Sequence, residues 1–553
     1  LENIELPASL QVVHRAVGNA KTNPYRVLLI VTGLAVLMAG LLSFVVPPGA
    51  DTDPCWGFIV MHSMEHGGHL NMLTTPNPAD IATDHSEFLA WWSPGQYMVP
   101  WLLKTFLNIS AGHAVGLTVA ICGLLGLAGF YKFFRKAGFD ERIASISIAF
   151  IASQLFFVSA FVYYTGGEVL LFAVLGWFLY GCLYFKRAGW QSFVFLFIAA
   201  IVGFFAKSSF IWMFVAGALF MWINISRLQA DDLRFRPKLY APQKKVSVWI
   251  TNGLLIGIPV IFSLLFLYIF YLSKGDIPAQ SFGRLHVLPE TFLFPLASPI
   301  VSAFSIDEVC DGLIYQPDGT TVSYGAAVTI LVISALLSLY FIRVLLKYSP
   351  SKTYTLAYIA FYTAGVIFFW DMYLKQSGIS FEARHFRVLG LIAIPGIIHL
   401  LFKANVTRVV FFMLWIASLT ISAHIFFREL GYNRDAVKGN LGISEQLYDR
   451  PSMDRILTLD QKYPHQITFV VMASDIAAEI FNNRVITIET ESAPDGDFSS
   501  IRYNGNCGRL YLLVPAEYVT PAGNSGMLKC FAGYHNFSGE KLSDRYYLFT
   551  AIN

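Results

Sequence analysis

Apolar runs recur along this chain at residues 26–46, 112–134, 142–162, 168–185, 192–206, 208–224, 248–272, 325–347, 354–374, 388–402 and 407–427. Each is long enough to cross, or nearly cross, about 30 Å of hydrocarbon. No water is available there to satisfy backbone N–H and C=O groups, so each run must close its own hydrogen bonds as a helix. The expected fold is therefore a polytopic α-helical membrane protein with about eleven transmembrane helices. Composition agrees, since only 14% of residues are charged against roughly 25% in soluble proteins. The stretch 192–224 exceeds one crossing, and Lys207-Ser208-Ser209 at its centre predicts two short helices that meet there. A net charge of +3, spread between the runs, offers no basic patch for nucleic acid. Membrane lipids are the expected surroundings.

The loops orient the chain. Arg15, Lys21 and Arg26 precede or open the first run, and no small-residue cleavage site follows it. It is expected to stay as a span rather than leave as a signal peptide. Lys132/Arg135/Lys136, Lys186/Arg187, Arg227 through Lys245, Arg343/Lys347 and Lys403 follow the even-numbered runs, and basic loops stay cytoplasmic. Residues 1–25 are then a cytoplasmic segment and 26–427 the membrane domain. The C-terminus lies outside with the 47–97 loop, Tyr163 to Gly167, Ser273 to Ser323 and Lys375 to Arg387. An integral protein of a bacterial inner membrane, with its chemistry extracytoplasmic, is the expectation.

The stretch Pro47 to Tyr97 holds Asp51, Asp53, Glu65, Asp80, Asp84, Glu87, four histidines (His62, His66, His69, His85) and no Lys or Arg. Phe88 to Leu107, aromatic and broken by Pro94-Gly95 and Pro100, reads as helical pieces along the outer interface, and Phe292 to Phe304 as another such element. Beyond Phe427 the composition becomes that of a soluble domain, 428–553. Ile467 to Ala473, a helix capped by Ser474, and Arg484 to Thr490 form a β-α-β unit. Arg509 to Val514 and Tyr546 to Ala551 add strands to a small extracytoplasmic α/β domain. It has no GxGxxG or Walker loop, so no nucleotide site is expected; a lid or acceptor-positioning role is. Pro494-Asp495-Gly496-Asp497 reads as a solvated turn. Cys55, Cys310, Cys507 and Cys530 fall in outer segments, and the pairs Cys507–Cys530 and Cys55–Cys310 are expected disulfides.

Charges at span ends are costly and therefore informative. Glu168 opens the fourth run, Lys207 sits at the break, Asp371 and Lys375 end the ninth, and Glu382, Arg384, His385 and Arg387 precede the tenth. Taken singly, such residues often do no more than snorkel to the interface. Six positions reading EARHFR on the side that normally lacks basic charge suit a lipid phosphate, held by guanidinium and ammonium groups. A nearby carboxylate can take a proton from an incoming hydroxyl or amine. His62-Ser63-Met64-Glu65-His66 also fits HxxEH, the zinc helix of inverted zincin peptidases, although Gly67-Gly68 would end that helix at once. A divalent metal on His62, His66 or His69 is the one cofactor these residues suggest. A transporter or non-catalytic subunit is the remaining alternative, and the clean centres of the spans speak against a transport path.

The acidic first loop, Ser93-Pro94-Gly95-Gln96-Tyr97 before the second run, Gly166-Gly167-Glu168 opening the fourth, Glu382-Ala383-Arg384-His385, and the external C-terminal domain together resemble the GT-C superfamily. Its members, such as the protein O-mannosyltransferases and the aminoarabinose transferase of lipid A, are polytopic enzymes that use polyprenyl-phosphate sugars. The resemblance covers residues 1–427, chiefly as architecture. It implies a catalytic Asp just after the first span. Asp53 matches that place, and Asp51 in Asp51-Thr52-Asp53-Pro54 is the alternative. It implies a later carboxylate in the same loop that orients acceptor or metal, for which Asp84, as a second catalytic residue, and Glu87 are the candidates. Arg384 matches the basic residue on the donor phosphate, and Glu65, Glu87, Glu168, Lys207, His385 and Arg387 are the further expected substrate contacts. The implied partners are a polyprenyl-phosphate-linked sugar and a glycan, lipid or protein acceptor, with transfer by direct displacement and inversion at the sugar C1.

Overall fold

The structure, a computed structural model, describes residues 23–90, 92–234, 243–275, 285, 287–316, 321–488 and 496–552. Arg15, Lys21, Trp91, most of the basic loop before Lys245, part of the 273–323 loop and Asp495 lie outside the described residues. The chain is a polytopic helical membrane protein.

It opens with α1 (Pro24–Val45), whose first turn is held by the Asn23 side chain accepting from the Tyr25 N–H. The polar stretch that follows is folded, not a loose loop: β1 (Gly49–Ala50), α2 (Thr52–Glu65), β2 (Met72–Asn77) and β3 (Asp80–Phe88). The Phe88 to Leu107 segment yields a single helix, α3 (Gly95–Leu107), with Tyr97 and Trp101 buried and Phe106 outward. Next come α4 (Ala111–Lys136), α5 (Glu141–Ala152), the one-turn α6 (Leu155–Val158), β4 (Tyr163–Tyr164) and α7 (Gly167–Tyr184). Helices α8 (Trp190–Ala206) and α9 (Phe210–Arg234) break at Lys207 to Ser209 as the sequence predicts, and α10 (Gln243–Phe270) follows. The rest of the bundle is α11 (Pro289–Ala303), α12 (Ile306–Val309), α13 (Tyr324–Tyr348), α14 (Lys352–Leu374), α15 (Arg387–Leu401) and α16 (Asn405–Asp435).

Every apolar run is helical, but they are not eleven equal spans. Among the described residues nine helices are long and apolar enough to cross a membrane. Residues 141–161 bend by 61° between α5 and the segment from Leu155, and α8 has 17 residues. A second correction concerns Phe292 to Phe304. Rather than lying along the surface, α11 packs against α13, α14 and α15 with Phe294, Ala297 and Val301 fully buried. Pro289 lies in the first turn, where no intrahelical donor is needed, while Pro295 and Pro299 lie inside the helix. The bundle core is strongly aromatic, with Phe130, Phe133, Phe134, Phe150 and Phe161 excluded from solvent.

A capping layer sits on one end of this bundle. After the short β5 (Val437–Lys438), β6 (Ser444–Glu445) and α17 (Arg450–Lys462) come β7 (Ile467–Val471), α18 (Ser474–Glu479), β8 (Arg484–Thr487), β9 (Arg509–Pro515), β10 (Ser538–Lys541) and β11 (Tyr546–Ile552). The sheet order is β10-β11-β9-β7-β8, with β7 parallel to both β8 and β9. The Ser474 hydroxyl does not cap α18; it donates to the Thr52 carbonyl on α2, 3.4 Å away. The hairpin β2–β3 belongs to this layer too. Ile81, fully buried, joins Val470, Ile486, Leu510 and Phe549 in one core, and its N–H donates to the Asn504 carbonyl at 2.9 Å.

All six cysteines are free, which overturns both expected disulfides. Cys55 is buried on α2 while Cys310 follows α12. Cys507 Sγ lies 3.2 Å from the Tyr534 hydroxyl, and Cys530 Sγ turns to the Phe498 carbonyl. Each sulfur of that second pair faces an oxygen instead of the other.

Candidate active site

The site begins with a two-residue parallel pairing between β1 and β4, Gly49 opposite Tyr163 and Ala50 opposite Tyr164. It continues as the Asp51 N–H donates to the Tyr164 carbonyl at 3.0 Å. The Asp51 carboxylate caps α2 by accepting from the Thr52 N–H at 2.8 Å, the satisfied helix start that Asp is suited to provide. Three residues past Tyr164, α7 begins. Gly166 has φ +70, and a Cβ there would meet Gln96 Oε1 at 2.4 Å. Gln96 Oε1 accepts from the Gly167 N–H at 3.2 Å, and its carbonyl accepts from the Tyr164 hydroxyl at 2.6 Å. The SPGQY and GGE motifs are thus one structural unit. It fixes Glu168, in the first turn of α7, beside Asp51.

The cations arrive from two other places. Lys207 ends α8 in an extended conformation and forms an ion pair with Glu168. Arg384 projects from the 3-10 turn Ala383–Phe386. Its Nη1 lies 3.7 Å from Asp51 Oδ2, its Nε 4.0 Å from Glu168 Oε1 and its Nη2 3.0 Å from Glu382 Oε2. One guanidinium therefore joins three carboxylates from three parts of the chain. Its Nε, buried, makes no hydrogen bond. His385 Nε2 is 3.9 Å from Glu382 and 3.5 Å from the Ser380 hydroxyl. Arg387 pairs with Glu308, donates to the Ser302 carbonyl at 3.2 Å and lies 4.0 Å from the Phe156 ring centre.

Asp51, Glu168, Glu382, Arg384 and Arg387 line a cavity of about 640 Å³ whose remaining wall includes Phe157, Phe172, Leu175 and Leu391. Charge sits together with an aliphatic and aromatic pocket in one hollow. Burial pushes the Asp51 carboxyl up from its ordinary value, against the pull of Arg384. Asp53, two residues on, is not among the lining residues. Burial, then the Asp51 and Glu168 carboxylates, raise it to about 6, opposed by Arg384 and Lys207. Burial and then Glu308 raise Asp307, on α12, to about 6.

Three expected site residues lie elsewhere. Asp84 projects from the hairpin and takes two hydrogen bonds from Arg484 of β8, at 2.9 and 2.5 Å. Its carboxylate ties the hairpin to the sheet. Glu65 accepts from Trp101 Nε1 at 2.6 Å and pairs with Lys104 at 3.2 Å, stapling α2 to α3. Glu87 stands on β3 opposite Leu73. The HxxEH motif does form a helix, and Gly67 (φ +90) follows directly after its end. One nitrogen of each ring faces a carbonyl: His62 Nε2 that of Phe481 at 3.0 Å and His66 Nδ1 that of His62 at 2.9 Å. Among the described residues no group of three or more His, Cys, Asp or Glu is arranged to hold a metal ion. Sequence reasoning passed over Asp307 and Glu308, adjacent acids in an outer loop whose spacing carries no motif.

Residues 94–233 match the family described as dolichyl-phosphate-mannose-protein mannosyltransferase. The matched segment takes in Glu168 and Lys207 and stops short of Asp51 and Arg384. Distant likenesses of shape accompany it. The oligosaccharyltransferase of Archaeoglobus fulgidus aligns over 90% of this chain and 70% of its own, at 13% identity and a TM-score of 0.47. ArnT from Cupriavidus metallidurans, solved bound to undecaprenyl phosphate, aligns over 94% and 97%, at 12% identity and 0.49. The arabinofuranosyltransferase AftD from Mycobacteria gives 12% identity and 0.41, with this chain spanning 41% of its length. No curated protein matches the chain at a significant level.

Proposed function

We propose that this protein transfers a sugar from a polyprenyl-phosphate donor to an acceptor hydroxyl or amine at the extracytoplasmic face of a membrane, with inversion at C1. One observation carries the reading: Asp51 and Glu168 share Arg384 at the wall of a cavity whose other side is apolar, with Val119, Phe157, Phe172, Leu175 and Leu391. An isoprenoid chain suits the apolar wall, and its phosphate suits Arg384 with Lys207 near by. The acceptor oxygen or nitrogen attacks C1, the C1–O bond to the phosphate breaks with its electron pair, and the acceptor proton passes to a carboxylate. Asp51 is the base in this scheme because it lines the cavity, whereas Asp53 stands behind it as a neighbouring negative charge. The lipid phosphate leaves with the extra negative charge, which Arg384 and Lys207 offset. Glu382 pairs with Arg384 on the cavity wall, and His385 lies against Glu382.

The decisive experiment uses purified protein in lipid nanodiscs with an undecaprenyl-phosphate-linked sugar and a mixture of envelope glycans, lipids and peptides as acceptors. Removal of a general base costs about 10²- to 10⁴-fold. Asp51→Asn is expected to lose at least about 10²-fold in transfer, Asp53→Asn far less, and Arg384→Ala to weaken donor binding. Full transfer by Asp51→Asn would remove the base assignment. Failure of the wild-type protein to bind undecaprenyl phosphate would remove the donor.

A further inference from the structure

Asp307 lines the same cavity as Asp51 and Arg384, and both of its oxygens are engaged by backbone N–H groups. Oδ1 accepts from the Leu313 N–H at 2.9 Å, and Oδ2 accepts from the Ala383 N–H at 2.7 Å. The residue is 6% exposed. It thus bridges two stretches of chain distant in sequence. Ala383 is the residue immediately before Arg384, and its carbonyl is also held, by the Ser302 hydroxyl at 3.3 Å. The next acid along, Glu308, pairs with Arg387 at the far end of the same turn. The backbone around Asp307 is shaped for this grip: Ser305 (φ +50), Asp311 (φ +55) and Gly312 (φ +89) all take left-handed conformations, which for Ser and Asp are uncommon and mark a constrained segment.

We propose that Asp307 is a positioning residue that fixes the turn Ala383–Phe386 so that the Arg384 guanidinium meets the donor phosphate, an inference that rests on the donor assignment made above. A guanidinium held among three carboxylates at 3.0 to 4.0 Å has little slack, and a misplacement of about 1 Å can cost on the order of 10²-fold in a reaction. With Asp307 lost, the buried Ala383 N–H has no acceptor. The turn must shift to find one, and Arg384 shifts with it.

Two measurements test this on the full-length protein in nanodiscs. The first is hydrogen–deuterium exchange of the 382–388 segment without ligand. Asp307→Asn keeps the size of the side chain but opposes one N–H with an amide donor, so exchange there is expected to rise while that of α4 and α7 stays the same. Unchanged exchange at 383–386 overturns the proposal whatever the protein binds. The second is affinity for undecaprenyl phosphate in a double-mutant cycle with Arg384→Ala. Asp307→Asn is expected to weaken binding on the order of tenfold in the wild-type background and not further once Arg384 is gone, the signature of coupled residues. Equal losses in both backgrounds would mean that Asp307 serves the fold alone and overturn the proposal. Should Arg384→Ala itself leave binding unchanged, the donor assignment falls, and the exchange experiment still decides the role of Asp307. If Asp307→Asn fails to fold, Ser302→Ala, which frees only the Ala383 carbonyl, is expected to show the same pattern at smaller size.

Discussion

Asp53 and Asp51 are two residues apart, face the same cations, and do different things. Asp51 caps α2 and lines the cavity; Asp53 is raised to about 6 from 3.8 by burial and by its neighbours' charge. A carboxyl raised on folding binds its proton more tightly in the folded than in the unfolded state, so stability falls as pH rises through the interval between the two values. Asp53→Asn removes that fall. Thermal unfolding in detergent is expected to show the variant matching wild type near pH 4 and exceeding it above about pH 6, with the gap opening between. At this scale the sequence was informative about Glu168, Lys207 and Arg384, because charges at span ends are costly and stand out. It was blind to which of the two Asp residues lines the cavity. That depends on β1 meeting β4, and no local pattern announces a two-residue pairing between distant segments. The partners of Asp84 and Glu65 were hidden for a related reason: Arg484 and Lys104 lie on elements that folding brings near.

At the scale of elements, the entry into α7 is the most constrained point. Gly166 is at φ +70 with Gln96 Oε1 2.4 Å from any added Cβ. Gly166→Ala is expected to destabilise the protein by about 1–3 kcal/mol through strain and displacement, seen as a lowered Tm. It should also reduce transfer by more than its loss of folded protein explains, since Glu168 is two residues on. The apolar runs and the β-α-β unit were legible because periodicity and length are local properties. Helix α11 was not. Three prolines in fifteen residues look like a surface element, and only the packing against α13, α14 and α15 reveals a buried one. The strand order of the sheet was equally hidden, since β10 and β11 follow β9 in sequence while β7 and β8 lie on its other side.

At the scale of the whole molecule, two contacts join the hairpin β2–β3 to the sheet, and they differ in weight. The Arg484–Asp84 ion pair is partly exposed, 28% and 48%, and such pairs contribute about 0–1 kcal/mol. Ile81 is fully enclosed, and truncating a core Ile to Ala costs about 2–5 kcal/mol. Limited proteolysis is therefore expected to release the C-terminal sheet readily from Ile81→Ala and hardly more than from wild type in Arg484→Ala. Equal susceptibility of the two variants would show that the hairpin rests on the sheet without completing it.

The place of Ile81 also sets an order of events during synthesis. The ribosome delivers the hairpin soon after the first helix, but the strands around Ile81 are made only after α16. Until those strands are made this isoleucine has no socket, and the layer cannot close around it before the described helices of the bundle have been produced. Assembly of the layer is thus a late step, and a chain truncated before β9 would leave the hairpin without the core that encloses Ile81.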